Sequence, residues 1–216
     1  MGLKKGSPDA FLASEFDDWA ETYDGSVSVD QFPFYGYKEV LGKTVELAKA
    51  CPGISVLDLG TGTGNLALLF ARLGCSLWCT DFSEPMLAKA LQKLPQAHFC
   101  LHNLHDEWPA GFPDRFDRIV SAYVFHHFEL DEKIRLVNNL IKDHLTPGGR
   151  LVIADIAFPD RPAQTALKEA VGSEWEEEYY WIADEAVPAF EVAGTKLKYV
   201  QVSACAGIFA FRESLE

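Results

Sequence analysis

The sequence predicts one α/β domain built on a mostly parallel, doubly wound sheet of seven strands that ends in an antiparallel hairpin. Three observations carry that expectation. Between residues 54 and 155, short apolar runs alternate with segments of helical periodicity, and parallel strands buried on both faces need such helical crossovers. The first run leads straight into Asp58-Leu59-Gly60-Thr61-Gly62-Thr63-Gly64, a glycine-rich turn between strand and helix. Residues 197–203 and 206–211 alternate apolar and polar around Ala204-Cys205 with no helix between them, the pattern of a closing hairpin. A length of 216 residues, 48 % apolar and 12 % aromatic, suits a single domain that folds without disulfide or metal. Its expected parts are an N-terminal helical cap (12–50), a central core (54–155), a helical insertion (160–193) and the hairpin (195–212).

In chain order, the first dozen residues read as a loose tail. Phe16, Trp19, Ala20 and Tyr23 then fall at i, i+3, i+4 and i+7, one apolar stripe of a short helix, with Ser14 and Asp17 as its capping box. A second helix covers 35–50 and stops before Pro52-Gly53. Ser55-Val56-Leu57-Asp58-Leu59 is a buried strand, and a helix from Asn65 to Leu73 closes at Gly74. After the strand Leu77-Trp78-Cys79-Thr80, Ser83 caps a helix with Pro85 in its first turn. Its inward positions are Met86, Leu87, Ala90, Leu91 and Leu94. Strands follow at 97–101 and 117–123, then a helix over 130–144 with Ile134, Val137, Leu140 and Ile141 inward. Pro147-Gly148-Gly149 turns into the strand Leu151-Val152-Ile153-Ala154.

Charge narrows the function classes. The net charge is −13, and residues 170–195 hold seven acids with no Lys or Arg. Nucleic-acid binding takes most of its affinity from cations placed against phosphates, and no basic stripe exists, so no nucleic-acid partner is expected. The acidic run reads as a solvated helix face or, alternatively, as a surface that welcomes a cationic ligand. No apolar run has the length of a membrane span, and Met1-Gly2-Leu3-Lys4-Lys5 lacks a signal core. Five cysteines without a Cys-x-x-Cys pair read as reduced and mostly buried, pointing to the cytoplasm. A monomer or homodimer is expected.

The glycine turn carries the chemistry. Its glycines let backbone approach a ligand at the carboxyl ends of the strands, where open α/β sheets bind. Asp81, 17 residues after Gly64 at the end of the next strand, can accept both hydroxyls of a ribose. Together they point to a nucleoside-type cofactor. Dinucleotide sites use Gly-x-Gly-x-x-Gly; here the third glycine comes one residue early, and Asp58 would repel a pyrophosphate yet suit a sulfonium with an α-ammonium. No Gly-Lys-Ser/Thr exists, so a P-loop is excluded.

The stretch from Asp58 to Gly64 resembles the first motif of class I S-adenosylmethionine (SAM)-dependent methyltransferases, a Rossmann-like family, and Asp81 matches their ribose-binding acid. Phe16-Asp17-Asp18-Trp19-Ala20-Glu21-Thr22-Tyr23-Asp24 is similar to the opening helix of small bacterial members. Phe116-Asp117-Arg118-Ile119-Val120-Ser121 resembles their fourth strand, and Leu145-Thr146-Pro147-Gly148-Gly149 the turn into their fifth. Tyr123-Val124-Phe125-His126-His127 and Glu178-Tyr179-Tyr180 look most like the YrrT-type group. The resemblance runs from 14 to 212. It implies SAM as cofactor, held by Asp58, Gly60, Thr61, Gly62, Asp81, Phe82, Met86, Asn103, Leu104, Ser121 and Tyr23. Where the family usually has Gly-Asp, with the acid facing the adenine amino group, this chain has His102-Asn103; the Asn103 oxygen and the Leu104 N–H can serve instead, the neutral acceptor more weakly. Tyr23 could meet the methionine carboxylate.

The expected activity is methyl transfer by in-line displacement to a small-molecule acceptor; a SAM-binding regulator without catalysis is the alternative. The donor is already activated, so alignment and exclusion of water suffice, and a base is needed only for a protonated acceptor. His126, His127 and Tyr123 are the candidates for that role. No metal is expected, because the other histidines lie on different elements.

Overall fold

The structure is a computed structural model that describes residues 13–212, with side chains from Phe16 onward; the tail expected over the first dozen residues lies outside the described residues. The central sheet runs β3-β2-β1-β4-β5-β8-β7, made of β1 (Ser55–Leu59), β2 (Ser76–Asp81), β3 (His98–Leu101), β4 (Phe116–Ala122), β5 (Leu145–Phe158), β7 (Leu197–Gln201) and β8 (Ala206–Arg212). It is parallel through β5, and the β7–β8 hairpin joins antiparallel to β5. These are the seven expected strands. An eighth, β6 (Trp181–Ile182), pairs parallel with the end of β5.

Alternate residues of the inner strands feed two apolar layers, which is why their sequences read as unbroken apolar runs. Val56, Val120, Val152 and Ala154 face one layer, covered by α3 (Tyr37–Ala48) and α4 (Asn65–Arg72). Leu57, Ile119, Leu151 and Ile153 face the other, covered by α6 (Leu130–Asn139) and α8 (Ala183–Val192). Each such side chain, fully withdrawn from water, contributes about 1.5–3 kcal/mol. Chain order reverses at β1, whose neighbours are β2 on one side and β4 on the other. The loops after β1, β2, β3 and β4 therefore converge on one crevice at the sheet's carboxyl edge.

Several local expectations change. The N-terminal stripe is split into α1 (Ala13–Trp19) and α2 (Tyr23–Ser26) by a turn. Ser14 falls inside α1 rather than before it, its side chain lies outside the described residues, and Asp17 accepts the Ser83 hydroxyl at 2.6 Å. Ser83 does cap α5 (Glu84–Lys93), accepting the Met86 N–H, but Leu91 points outward at 51 % exposure. The helix over 130–144 finishes in a π-helical turn, Leu140–His144. Pro147-Gly148-Gly149 lies within β5, where three extra residues bulge out between its pairings with Phe116 and Arg118. Two of the five cysteines, Cys79 and Cys205, are buried, and Cys51 is exposed. The insertion is only partly helical: α7 (Arg161–Val171) and α8 flank a single turn, an irregular loop over 175–180 and β6. Glu176, Glu177 and Glu178 thus sit on a loop, not on a solvated helix face. Among the described residues no helix is long and apolar enough to cross a membrane.

Candidate active site

The turn after β1 is built around two buried carboxylates. Asp58, 1 % exposed, accepts the Thr61 hydroxyl at 2.7 Å. Burial pushes its carboxyl up to about 7; the Thr61 hydrogen bond opposes this and the Asp81 charge adds to it. At Gly60 the backbone is left-handed (φ +66°), and a Cβ there would lie 2.4 Å from Val124 Cγ2. Only glycine lets the loops after β1 and β4 close this tightly. The Gly62 N–H donates to Asp81 at 2.7 Å and the Ser83 N–H at 2.9 Å, so one carboxylate at the end of β2 clamps two turns. Burial raises the Asp81 carboxyl, against these backbone donors.

These groups open onto a cavity of about 1110 Å³. Its roof is aromatic and comes from the N-terminal segment. Trp19 meets Tyr23 edge-on at 4.8 Å, and Phe34 meets Tyr123 at 5.4 Å. Phe16 packs between Phe82 (5.0 Å) and His127 (5.8 Å). Polar ties fasten this segment to the core: Asp24 accepts the Thr63 hydroxyl at 2.6 Å and pairs with Lys93 at 2.6 Å. Burial disfavours the charged Asp24, yet Lys93, Thr63 and Asn65 outweigh it and hold the carboxyl below its usual range. Across the cavity, Phe32 stacks on Trp175 at 5.3 Å, so the acidic loop over 175–180 is drawn under the same roof.

The far wall is a buried charged cluster. His126 Nδ1 lies 2.6 Å from Asp155 Oδ1, and Asp155 also accepts the Ile156 N–H (2.8 Å) and Trp181 Nε1–H (2.9 Å). His126 Nε2 lies 3.2 Å and His127 Nδ1 3.5 Å from the same Glu178 oxygen. The loop is pinned there by the Tyr179 N–H donating to the His126 carbonyl at 2.9 Å and by the Lys133 ammonium donating to the Tyr179 carbonyl. Burial opposes the charged His126, but Asp155 and Glu178 together outweigh it and raise its pKa. His127 is pushed down to about 2 by burial, then by the charges of His126 and Lys133, so it stays neutral. Burial also lowers Lys133 to about 8, against Asp155 and Glu178, and raises Glu178.

Comparison with known proteins decides the family. An uncharacterized methyltransferase of Geobacillus kaustophilus is 33 % identical over 204 residues, covering 88 % of this chain and 91 % of the relative. One from Bacillus cytotoxicus is 34 % identical over 151 residues, 68 % of each chain. Residues 56–149 match the methyltransferase domain family model. The chain belongs to the class I SAM-dependent methyltransferases. Solved structures share the fold: a DhpI–SAM–HEP complex aligns with TM-score 0.73 over 99 % of this chain and 100 % of that one at 19 % identity. A magnesium protoporphyrin IX methyltransferase from Synechocystis with bound SAH aligns with TM-score 0.67 over 94 % and 100 % at 19 % identity.

In this methyltransferase, eight of the expected cofactor residues line the one cavity: Tyr23, Gly60, Gly62, Asp81, Phe82, Met86, Asn103 and Leu104. So do Tyr123, His126 and His127. Asp58, Thr61 and Ser121 stand behind its surface; Thr61 binds Asp58, and Ser121 donates to the Leu59 carbonyl at 2.8 Å, tying β4 to β1. The Asn103 oxygen already accepts the His105 N–H at 3.1 Å, which leaves one lone pair for a ligand. Sequence reasoning missed Phe32, Phe34, Lys133 and Asp155 as parts of the site. Asp155 had left a signal, an acid inside the apolar run of β5; Lys133 had left none.

Proposed function

We propose that this methyltransferase transfers the methyl group of SAM by in-line displacement to a small-molecule acceptor bound beside it. The observation that carries this reading is the single cavity of about 1110 Å³ with two chemically distinct ends, larger than one small ligand needs. At one end the residues fit the cofactor: the Gly60 cradle is one that a Cβ would fill, and Asp81 is a buried carboxylate facing the cavity. When bound, SAM supplies a methyl group already activated on a sulfonium. Asp81 would hold the ribose hydroxyls, Asn103 and the Leu104 N–H the adenine edge, Tyr23 the carboxylate, and the Asp58 charge would favour the ammonium. What remains for the chain is to align acceptor and methyl group and to keep water out, a task the aromatic roof over the cavity would serve.

The other end defines the acceptor by charge. Among the described residues no Lys or Arg lines the cavity, whereas Glu174, Glu176 and Glu178, from the segment drawn under the roof with Trp175, line this end. Phosphorylated molecules and nucleic-acid backbones are repelled there, and neutral or cationic acceptors are favoured. The test is release of S-adenosylhomocysteine (SAH) from purified protein incubated with SAM and panels of neutral, cationic and anionic small metabolites. Turnover confined to the neutral or cationic panels supports the reading. Turnover confined to anionic metabolites, or to nucleic acid or protein substrates, rejects it.

A further inference from the structure

From the juxtaposition of His126 Nε2, His127 Nδ1 and Glu178 on the acceptor side of the cavity, we propose that this chain binds one divalent metal ion of the zinc type. The three residues offer one ligand atom each, all within 4.8 Å of one another. Two donors sharing a zinc ion at ~2.1 Å and a tetrahedral angle stand ~3.4 Å apart. Both imidazole nitrogens meet that spacing from the Glu178 oxygen, at 3.2 and 3.5 Å. Two imidazoles and one carboxylate form the donor set of zinc sites that keep a position open for a reacting ligand. All three residues line the cavity.

The surroundings are those of a built site. An ion here would take the place of the proton on His126 Nε2, and the proton left on Nδ1 would be held by Asp155, 2.6 Å away. A carboxylate on the far nitrogen of a ligating histidine fixes its tautomer and ring orientation. Asp155 is itself fixed by the Ile156 N–H and Trp181 Nε1–H. Glu178 comes from a segment 51 residues further on than His127, yet the Tyr179 N–H bond to the His126 carbonyl holds it in place. The carboxylates of Asp155 and Glu178 stand beside the single Lys133 ammonium, and an ion that takes the place of the His126 Nε2 proton offsets the charge it brings. The Lys133 ammonium is itself taken up by the Tyr179 carbonyl and lies 4.6 Å over the Trp181 ring. The role of the ion, seating a donor atom of the acceptor in its open position, rests on the methyl-transfer reading; its existence does not.

The test uses the full-length chain stripped with chelator and dialysed. Titration with zinc chloride by calorimetry, and with cobalt(II) chloride by visible absorption, is expected to show one saturable ion per chain. Glu178→Gln and His127→Gln should each weaken binding at least about tenfold, while Glu191→Gln, at an exposed position of α8, leaves it unchanged. Asp155→Asn, which keeps the side-chain volume, should weaken it about tenfold or more. No saturable binding at one equivalent, or equal affinity in Glu178→Gln and His127→Gln, overturns the inference. SAH binding measured on the same samples separates the two readings: a chain that binds SAH but no metal sinks this inference alone.

Discussion

In the folded chain Asp81 accepts the Gly62 N–H at 2.7 Å and the Ser83 N–H at 2.9 Å while it is 7 % exposed and faces the cavity. Asp81→Asn keeps the volume and one acceptor oxygen but turns an amide N–H₂ toward one of those donors. One buried backbone N–H then loses its partner, at a cost of about 1–3 kcal/mol in stability. For a domain of this length, that lowers Tm by about 2–12 °C. The same change removes one charge-assisted acceptor from a ribose hydroxyl, worth about 1.5–3 kcal/mol, so SAH affinity should fall about ten- to a hundredfold. The two losses are read separately, the first by a thermal scan without ligand and the second by calorimetric titration well below the variant's Tm. Affinity within twofold of the parent, in a variant that circular dichroism shows folded, would refute the assignment of Asp81 to the ribose. A normal Tm would refute the account of its clamp on the two turns.

Three further outcomes are expected. Burial raises the Asp58 carboxyl to about 7, so it is mostly protonated at pH 6 and mostly charged at pH 8; SAH carries an ammonium that favours the charged form, and its affinity should rise about tenfold over that interval and flatten in Asp58→Asn. Because this is an acid whose folded pKa is raised, the ligand-free chain should also lose stability as pH climbs from the unfolded value of about 4 through about 7; an opposite trend that Asp58→Asn abolishes would contradict the sign. Gly60→Ala combines left-handed backbone strain of about 1–2 kcal/mol with a clash at 2.4 Å costing about 1–3 kcal/mol, and Val124→Ala in the same chain should recover part of the lost Tm. Asn103→Asp keeps the oxygen that accepts the His105 N–H and adds charge toward the adenine edge, so SAH should bind equally or more tightly; severalfold weaker binding in a folded variant removes Asn103 from the adenine position.

The parallel core was legible because the rules that build it are local. Apolar runs of strand length, the Ser83 cap, Gly74 past α4 and the left-handed glycines of the first turn each act within a few residues. The same reasoning brought out Gly60, Gly62 and Asp81, since cofactor turns sit at the ends of strands whose order follows from the crossovers. It failed where a residue's meaning depends on a distant neighbour. The acid run over 174–178 has the composition of a solvated face, and only the packing of Trp175 on Phe32 turns it inward. Likewise Leu91 fits the helical stripe of α5 but lies beyond the edge of what the sheet covers. His126 and His127 announce two imidazoles, while their partners Asp155, Lys133 and Glu178 come from three other elements. Periodicity, caps and glycines thus settle the sheet and the nucleoside end of the cavity, because backbone sterics and burial act locally. The acceptor end, with its charge and its ligand atoms, exists only once long-range packing has brought those loops together.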